Sequence, residues 1–286
     1  MKKIIFKGVA TALVTPFKED GSINFDMVSK LIEFQIENGT QALVICGTTG
    51  ESPTLYVEER EKFISYVVKK VNKRVPVIVG TGSPSTKHSV LLSKQAESLG
   101  ADALLIVTPF YNKTSQKGIV DHYSYISKNV NLPIILYNVP SRTGLNILPE
   151  TYKELSEIEN IVSTKEASGD ISSVIKTKSL CGDNLQIYSG NDDQTIPIMS
   201  VGGIGVISVF SNIKPKESQK IFVSNSKDLL MKYVPLMNAL FCEVNPMPVK
   251  YAMKLIGFDC GGCRLPLTEL SDSSKEKLKS LLYNKY

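Results

Sequence analysis

One lysine in this sequence occupies a position that disfavours a charged side chain. The stretch IVSTKEASGD, residues 161–170, places Lys165 in a run of β-branched and small residues that predicts a buried strand. Alternation along that strand predicts one face formed by Ile161, Ser163, Lys165 and Ala167. Desolvation favours the neutral amine, a nucleophile that can form a Schiff base with a carbonyl compound. The alternative is a lysine that pairs with Glu166 or extends from the strand end toward solvent.

Four other apolar runs end in polar residues whose types suit substrate binding. These endings are GTTGES at 47–52, TPFYN at 108–112, YNVPSRTG at 137–144 and SGNDD at 189–193. GTTGES offers two adjacent hydroxyls and several backbone N–H groups on a turn that its glycines permit, which suits a carboxylate or a proton relay. The alternative is that Ser52 or Thr54 caps the helix that follows.

Two side chains of the YNVPSRTG ending have chemical uses of their own. Tyr137 is a phenol at a strand end that can exchange protons with a bound intermediate, although a strand tyrosine more often belongs to the core or its rim. Arg142 presents a planar fork suited to a carboxylate, and a surface salt bridge is its alternative role. The chain has only two histidines, His88 and His122, and no clustered ligand motif, so metal-dependent aldol chemistry is disfavoured. Carbonyl chemistry would then depend on Lys165.

The elements that must position these residues repeat along the chain. Segments of helical period alternate with eight short apolar runs rich in β-branched residues, which begin at residues 8, 42, 75, 103, 133, 161, 185 and 205. Apolar strands separated by helices imply parallel pairing with both faces covered, and eight of them predict an α/β fold of the closed (β/α)8 TIM barrel type. A doubly wound sheet is the rival, but no glycine fingerprint follows the first strand.

We predict a catalytic barrel over residues 1–212 and a small helical region over residues 213–286, because the strand pattern stops at 212 and helix-like sequence follows. In such a barrel the active site lies at the carboxyl ends of the strands, where Lys165 and the polar endings occur. The run Gly202-Gly203-Ile204-Gly205 precedes the eighth strand at the opposite face. It opens no helix, so it predicts a structural turn and not a phosphate cradle.

Composition argues against several classes of function. The net charge of +5 comes from lysines spread along 286 residues, without a basic run typical of binding to nucleic acid or an anionic membrane. No stretch reaches the ~18 apolar residues of a membrane span, and Lys7 interrupts the N-terminal apolar run, which favours a first strand over a secretory signal. Five cysteines, an odd number, fit a cytoplasmic protein, and the lone CxxC pair at 260–263 is weak evidence for zinc.

Together these motifs resemble those of the dihydrodipicolinate synthases, within the pyruvate-dependent class I aldolase superfamily that includes the N-acetylneuraminate lyases. The resemblance covers essentially the whole chain, because GTTGES, TPFYN, YNVPSRTG, STKEASGD and VGGIGVIS occur in this order at these spacings. It implies that pyruvate forms a Schiff base with Lys165 and that the derived enamine attacks the aldehyde of L-aspartate 4-semialdehyde. The product feeds lysine and diaminopimelate synthesis, and no organic cofactor or metal is implied.

The resemblance also implies a proton relay that crosses a subunit boundary. Thr48 and Tyr137 match two members of the family's relay. Tyr111 matches the third, which in these enzymes reaches in from a neighbouring subunit. The expected assembly is a homotetramer built as a dimer of dimers.

Substrate binding is implied for four further positions. Thr49 matches the residue that binds the pyruvate carboxylate, together with backbone groups near Gly190 and Ile207. Arg142 matches the residue that binds the carboxylate of the semialdehyde, and an arginine in this loop separates the branch from the sialic acid lyases. The alternatives are a lyase acting on sialic acid or a keto-deoxy sugar acid, and a catalytically inactive barrel that senses a keto acid.

The chain departs from the family pattern at several places. The segment between Pro215 and Pro235 is several residues shorter than in most members, and Phe110 replaces a tyrosine found in many. Lysine-inhibited members share polar effector-binding residues, which this chain replaces with Pro53, Arg60, Pro84 and His88. Proline has no side-chain donor, and Arg or protonated His repels the ammonium of lysine. We therefore expect weak or absent feedback inhibition by lysine.

Overall fold

Eight parallel strands form a closed barrel in the computed structural model, which describes residues 2–283. Each strand pairs with its neighbours in chain order, and β8 pairs with β1 to close the ring. The predicted (β/α)8 barrel is therefore confirmed, and the doubly wound sheet is excluded. The strands are β1 Gly8–Ala12, β2 Ala42–Ile45, β3 Val77–Gly80, β4 Ala103–Val107, β5 Ile134–Asn138, β6 Ile161–Glu166, β7 Gln186–Ser189 and β8 Gly205–Ser208.

Helices connect successive strands and cover the barrel. They are α1 Phe25–Glu37, α2 Val57–Val71, α3 Thr86–Ser98, α4 Gln116–Ser127, α5 Pro140–Thr143, α6 Pro149–Leu155, α7 Ile171–Cys181 and α8 Thr195–Ser200. The α2 helix begins after Tyr56, whose backbone N–H donates to the Glu59 carboxylate at 3.0 Å. A glutamate three residues into the helix thus satisfies a backbone donor of the first turn. Neither Ser52 nor Thr54 caps this helix.

Alternation along the strands sorts apolar side chains into two layers. In β2, Ala42 and Val44 belong to the barrel interior, whereas Leu43 and Ile45 pack in the larger cluster beneath the helices. The interior also holds two tyrosines, Tyr137 and Tyr188. The barrel interior is therefore filled with side chains. Each inward-facing residue either packs in the core or belongs to the candidate site.

A β-bulge in β6 places the first residue of the strand on the face opposite to the predicted one. Ile134 pairs with Ile161, but the next residue of β5, Ile135, pairs with Ser163, so β6 carries one extra residue at this point. Ile161 therefore packs in the outer cluster. The predicted face of four alternating residues was wrong for Ile161, because strict alternation does not pass through a bulge.

After β8 the chain is helical, as predicted, although the boundary at residue 212 stays a prediction. The helices are α9 Pro215–Ser224, α10 Lys227–Ala239, α11 Met247–Leu255 and α12 Asp272–Tyr283. In the shortened 215–235 segment, α9 and α10 are joined by Asn225, which is left-handed at φ 49°, and Ser226, whose side chain accepts from the Leu229 N–H. The segment thus keeps a helix pair with a two-residue connection. The last three residues of the predicted tail helix lie outside the described part of the chain.

The predicted glycine turn before β8 is also present. Gly202 is left-handed at φ 96°, and the Gly203 N–H donates to the Ile198 carbonyl at 2.8 Å. A Cβ on Gly203 would lie 2.5 Å from the Ile198 side chain, so the turn tolerates no side chain there. Within residues 2–283, no helix combines the length and the apolar character needed to cross a membrane.

One buried histidine couples folding to pH. His122 in α4 is 5% exposed and hydrogen bonds through Nδ1 to Thr86 Oγ1 at 2.9 Å, while its Nε2 has no partner in the described part of the chain. Burial lowers the pKa of His122 from 6.5 to about 4. Below pH 6.5 the unfolded chain therefore binds a proton that the folded chain excludes until about pH 4.

We predict that acidification from about pH 6.5 to 5 removes about 1.5 kcal/mol of folding free energy through His122. His122→Gln should lose correspondingly less over this interval, as measured by urea unfolding at fixed protein concentration. His88→Gln, at the exposed histidine, is the matched control and should retain the acid dependence of the unaltered chain. An unchanged acid dependence in His122→Gln would contradict the assignment.

Candidate active site

Lys165 lies on β6 inside the barrel, between two tyrosines of the neighbouring strands. It pairs in register with Tyr137 of β5 and Tyr188 of β7. Its side chain is buried, and Nζ lies 4.6 Å from the centroid of the Tyr137 ring. Within residues 2–283, no carboxylate comes within 4.0 Å of this ammonium nitrogen. The structure therefore brings Lys165 and Tyr137, two of the predicted catalytic residues, next to each other.

Glu166 is separated from Lys165 by the strand itself. Its carboxylate accepts hydrogen bonds from Tyr152 Oη at 2.8 Å, Asn138 Nδ2 at 3.1 Å and the Ser168 N–H at 2.8 Å. Burial raises the pKa of Glu166, and these hydrogen bonds oppose the rise. Lys165 does not pair with Glu166, so the alternative ion pair is wrong.

A cavity of about 500 Å³ opens where β2, β4 and β5 end. Three of the predicted site residues line it: Thr48, Tyr137 and Arg142. Thr48 comes from the loop after β2, Tyr137 from the end of β5 and Arg142 from the short helix α5. Because Tyr137 also contacts Lys165, the cavity joins the lysine region to an arginine that can bind a carboxylate.

The second threonine of GTTGES is held by a residue far along the chain. Thr49 is 4% exposed, and its Oγ1 accepts from Asn245 Nδ2 at 2.9 Å. The Asn245 carbonyl in turn lies 3.5 Å from Arg142 Nη2. Sequence reasoning missed Asn245, which precedes α11 and bridges two of the predicted substrate-binding residues. The Asn-Pro pair at the start of a helix-like segment was its only local signal.

Gly190 follows β7 and lies beside the end of β6. Ile207 belongs to β8 and lies beside β1. The Gly190 N–H already donates to the Glu166 carbonyl at 2.7 Å, and a Cβ on Gly190 would lie 2.6 Å from that of Ala167. Ile207 is fully buried in β8 and pairs with Ala10. The Gly190 amide is thus committed to extending the sheet, which leaves its carbonyl for other contacts.

Asp192 is a second buried group that sequence reasoning did not single out. Its carboxylate accepts from the Val209 N–H at 3.0 Å and the Phe210 N–H at 2.9 Å, so it fixes the loop that follows β8. Burial raises the pKa of Asp192, and attraction to Lys165 is among the opposing effects. The residue belongs to the SGNDD ending of β7, and that ending was its signal.

Two predicted catalytic residues, Lys165 and Tyr111, do not line this cavity. Lys165 lies next to it, beside the ring of Tyr137, whereas Tyr111 points away from the chain. Its side chain is 94% exposed, and its backbone is left-handed at φ 68°. A positive φ is strained for a bulky residue, so the loop holds this phenol outward at a conformational cost.

The positions that replace the family's lysine effector residues line the same cavity: Pro53, Arg60, Pro84 and His88. Arg60 is 3% exposed and donates to Ser52 Oγ at 2.8 Å and the Gly80 carbonyl at 2.6 Å. This part of the cavity therefore carries a buried guanidinium close to the GTTGES loop.

Comparison with known proteins places the whole chain in one group. Residues 5–285 match the model of the dihydrodipicolinate synthetase family. A 4-hydroxy-tetrahydrodipicolinate synthase of Clostridium perfringens strain 13 is 53% identical over 287 residues, covering 96% of this chain and 98% of the relative.

Solved structures agree over the same length. Dihydrodipicolinate synthase of Bacillus anthracis superposes with a TM-score of 0.96 at 41% identity, covering 100% of both chains. The synthase of Cyanidioschyzon merolae, solved with lysine bound, gives a TM-score of 0.94 at 38% identity and covers 98% of both chains.

Proposed function

The chain belongs to the dihydrodipicolinate synthetase family, and from that premise we propose that Lys165 forms a Schiff base with pyruvate that condenses with L-aspartate 4-semialdehyde. Its activity is the synthesis of 4-hydroxy-tetrahydrodipicolinate, a lyase reaction that serves diaminopimelate and lysine biosynthesis. The observation that carries the proposal is the position of Lys165, buried beside Tyr137 without an adjacent carboxylate in the described structure.

The proposed chemistry begins at the keto carbon of pyruvate. The Lys165 nitrogen adds to this carbon, and loss of water leaves an iminium. The iminium draws electrons from the methyl group, which loses a proton and becomes the enamine carbon. That carbon forms a bond to the aldehyde carbon of the semialdehyde, whose oxygen takes up a proton. The amino group of the semialdehyde then adds to the iminium carbon and gives up a proton to Lys165, whose amine leaves as the ring closes. The lysine iminium is the electron sink, so the proposal includes no metal and no organic cofactor.

Proton transfer and carboxylate binding fall to the groups around the cavity. We assign proton exchange with the bound intermediate to Tyr137, whose ring centroid lies 4.6 Å from Lys165 Nζ, and to Thr48, which lines the same cavity as Tyr137. We assign the pyruvate carboxylate to Thr49, with the backbone around Gly190 and Ile207. The semialdehyde carboxylate is assigned to Arg142, whose guanidinium suits bidentate contact. These roles rest on the family resemblance, and the shared cavity supports those of Thr48, Tyr137 and Arg142.

We predict that Lys165→Ala abolishes turnover of pyruvate with L-aspartate 4-semialdehyde, a loss of at least about a thousandfold, because no other amine can form the iminium there. The assay couples the product to the next reductase and follows NADPH consumption. Lys94→Ala, which removes an exposed lysine of α3, is the matched control and should retain full activity. Residual turnover above a hundredth of normal in Lys165→Ala would contradict the nucleophile assignment. A chain that binds pyruvate covalently but turns over only sugar-acid aldehydes would contradict the substrate assignment.

The proposed role of Tyr111 requires that two copies of the chain assemble. The side chain of Tyr111 is 94% exposed, which supports a role toward a second copy of the chain, as the family resemblance implies. We propose that Tyr111 completes the relay with Thr48 and Tyr137 of another subunit, within a homotetramer formed from two such dimers. Each active site would then depend on two chains.

Mixing two inactive variants tests this shared site. Tyr111→Phe and Lys165→Ala subunits, dissociated together and reassembled, should regain about a quarter of normal activity, because half the dimers are mixed and each has one intact site. The reassembled single variants are the controls and should stay inactive. No recovery in a mixture shown by mass spectrometry to contain mixed dimers would mean that Tyr111 acts within its own chain or not at all.

We also propose that feedback inhibition of this chain by lysine is weak or absent. The buried guanidinium of Arg60 lies in the cavity region where lysine-inhibited members carry effector-binding residues, and a cation there repels the lysine ammonium.

Calorimetric titration with L-lysine should therefore give no binding heat at submillimolar concentrations. The Cyanidioschyzon merolae relative, solved with lysine bound, is the positive control. Half-inhibition of turnover at submillimolar lysine would overturn the prediction.

We also propose that the protein is located in the cytoplasm. All five cysteines are free thiols, and Cys46, Cys181 and Cys260 are buried. Burial raises the pKa of the Cys260 and Cys263 thiols to about 12, so both are protonated at neutral pH. Persistent free thiols are typical of a reducing compartment.

A further inference from the structure

A second buried lysine lies beneath the GTTGES loop and makes a fully enclosed ion pair. Lys250 Nζ of α11 lies 2.6 Å from Glu51 Oε1, and the two side chains are 3% and 1% exposed. Removing two charges from water is costly, and a buried pair often contributes no net stability. The pair therefore needs an explanation other than stabilisation of the fold.

Glu51 has an unusual backbone in the middle of a functional loop. It is left-handed, with φ 54° and ψ 38°, and follows directly after the loop's second glycine. The turn is closed by hydrogen bonds from the Glu51 N–H to the Thr48 carbonyl at 3.1 Å and from the Ser52 N–H to the Gly47 carbonyl at 3.2 Å. A non-glycine residue persists in this conformation only when its surroundings hold it there.

The side chain of Glu51 supplies that support. Its Oε2 accepts from the Arg264 N–H at 2.9 Å, while Oε1 faces Lys250. Lys250 is itself fixed, because Nζ donates to the Gly262 carbonyl at 2.9 Å and lies 4.3 Å from the centroid of the Phe17 ring. The carboxylate is therefore held from two sides by backbone and side chain of the C-terminal helical region.

The same helical region contacts the loop a second time, at the substrate-binding threonine. Asn245, five residues before Lys250, donates to Thr49 Oγ1 at 2.9 Å. Thr49 is two residues before Glu51. Asn245 and Lys250 thus contact the loop on both sides of Gly50. Gly50 itself is closely packed, because a Cβ there would lie 3.2 Å from the Leu13 carbonyl.

We propose that Lys250 is a positioning residue for pyruvate, acting through Glu51 to hold the backbone at Thr48 and Thr49 in its binding conformation. The inference rests on the proposed function, in which these threonines serve the pyruvate carboxylate and the proton relay. Lys250 touches neither pyruvate nor Lys165 in this scheme. Its loss should therefore weaken pyruvate binding while leaving the semialdehyde site at Arg142 intact.

The test is Lys250→Met, which keeps the length of the side chain and removes its charge. We expect the KM for pyruvate to rise by about tenfold or more and the KM for the semialdehyde to stay within about twofold, because misplacement of a binding group acts on its own substrate. Lys254→Met is the matched control on the same helix, where an exposed lysine pairs with Asp259 at 3.0 Å, and both KM values should be unchanged.

The double variant Lys250→Met/Glu51→Gln separates positioning from stability. It leaves no buried charge unpaired, so its melting temperature should recover relative to Lys250→Met, and it provides a folded protein if the single variant does not fold. The elevated pyruvate KM should persist in the double variant. A normal pyruvate KM in either folded variant would overturn the positioning role.

Assays of the unaltered chain show whether the positioning role of Lys250 fails or the proposed function itself fails. If it turns over pyruvate and semialdehyde, and Lys250→Met does so with the same pyruvate KM, only the positioning role fails. If the unaltered chain does not turn over these substrates, the proposed function fails first. In that case, the amount of borohydride-reduced pyruvate adduct is measured by mass spectrometry as a function of pyruvate concentration, and matching curves for the unaltered chain and Lys250→Met still overturn the positioning role.

Discussion

The structure depends on enclosing one lysine side chain in a closed barrel without an ion pair to the glutamate that follows it in sequence. An ion pair would engage the lysine nitrogen, whereas the proposed Schiff base requires that nitrogen to add to a carbonyl carbon. Strand β6 meets this constraint by placing adjacent side chains on opposite faces. Lys165 enters the interior beside Tyr137, and Glu166 enters the outer layer, where Tyr152 and Asn138 satisfy it.

The loops at the barrel mouth depend on support from outside the barrel. The GTTGES loop carries two threonines, but the partners that hold it, Asn245, Lys250 and Arg264, come from the C-terminal helical region. The loop after β8 is held by Asp192 of the β7 ending. Rigid support of this kind allows a substrate to bind without reorganising its site. The C-terminal helices are therefore connected to the site and do more than cover the barrel.

The sequence predicted what repeats or is local, and it did not predict contacts between distant segments. Apolar runs at regular spacing specified eight strands, and Lys165 was conspicuous because a charged residue interrupted one of them. The bulge in β6 was not predictable, because an extra residue in a ladder depends on the register of both partner strands. The Lys250–Glu51 pair joins residues about two hundred positions apart. Nothing in the helical period of α11 distinguishes Lys250 from the exposed Lys254.

The most direct test of the lysine's role is chemical trapping. The chain is incubated with pyruvate alone and reduced with borohydride, and its peptides are then mapped by mass spectrometry. We expect a reduced pyruvate adduct on the peptide that contains Lys165, at close to one per chain, with every other lysine unmodified. An adduct on a different lysine, or no adduct in a chain that is active with both substrates, would contradict it.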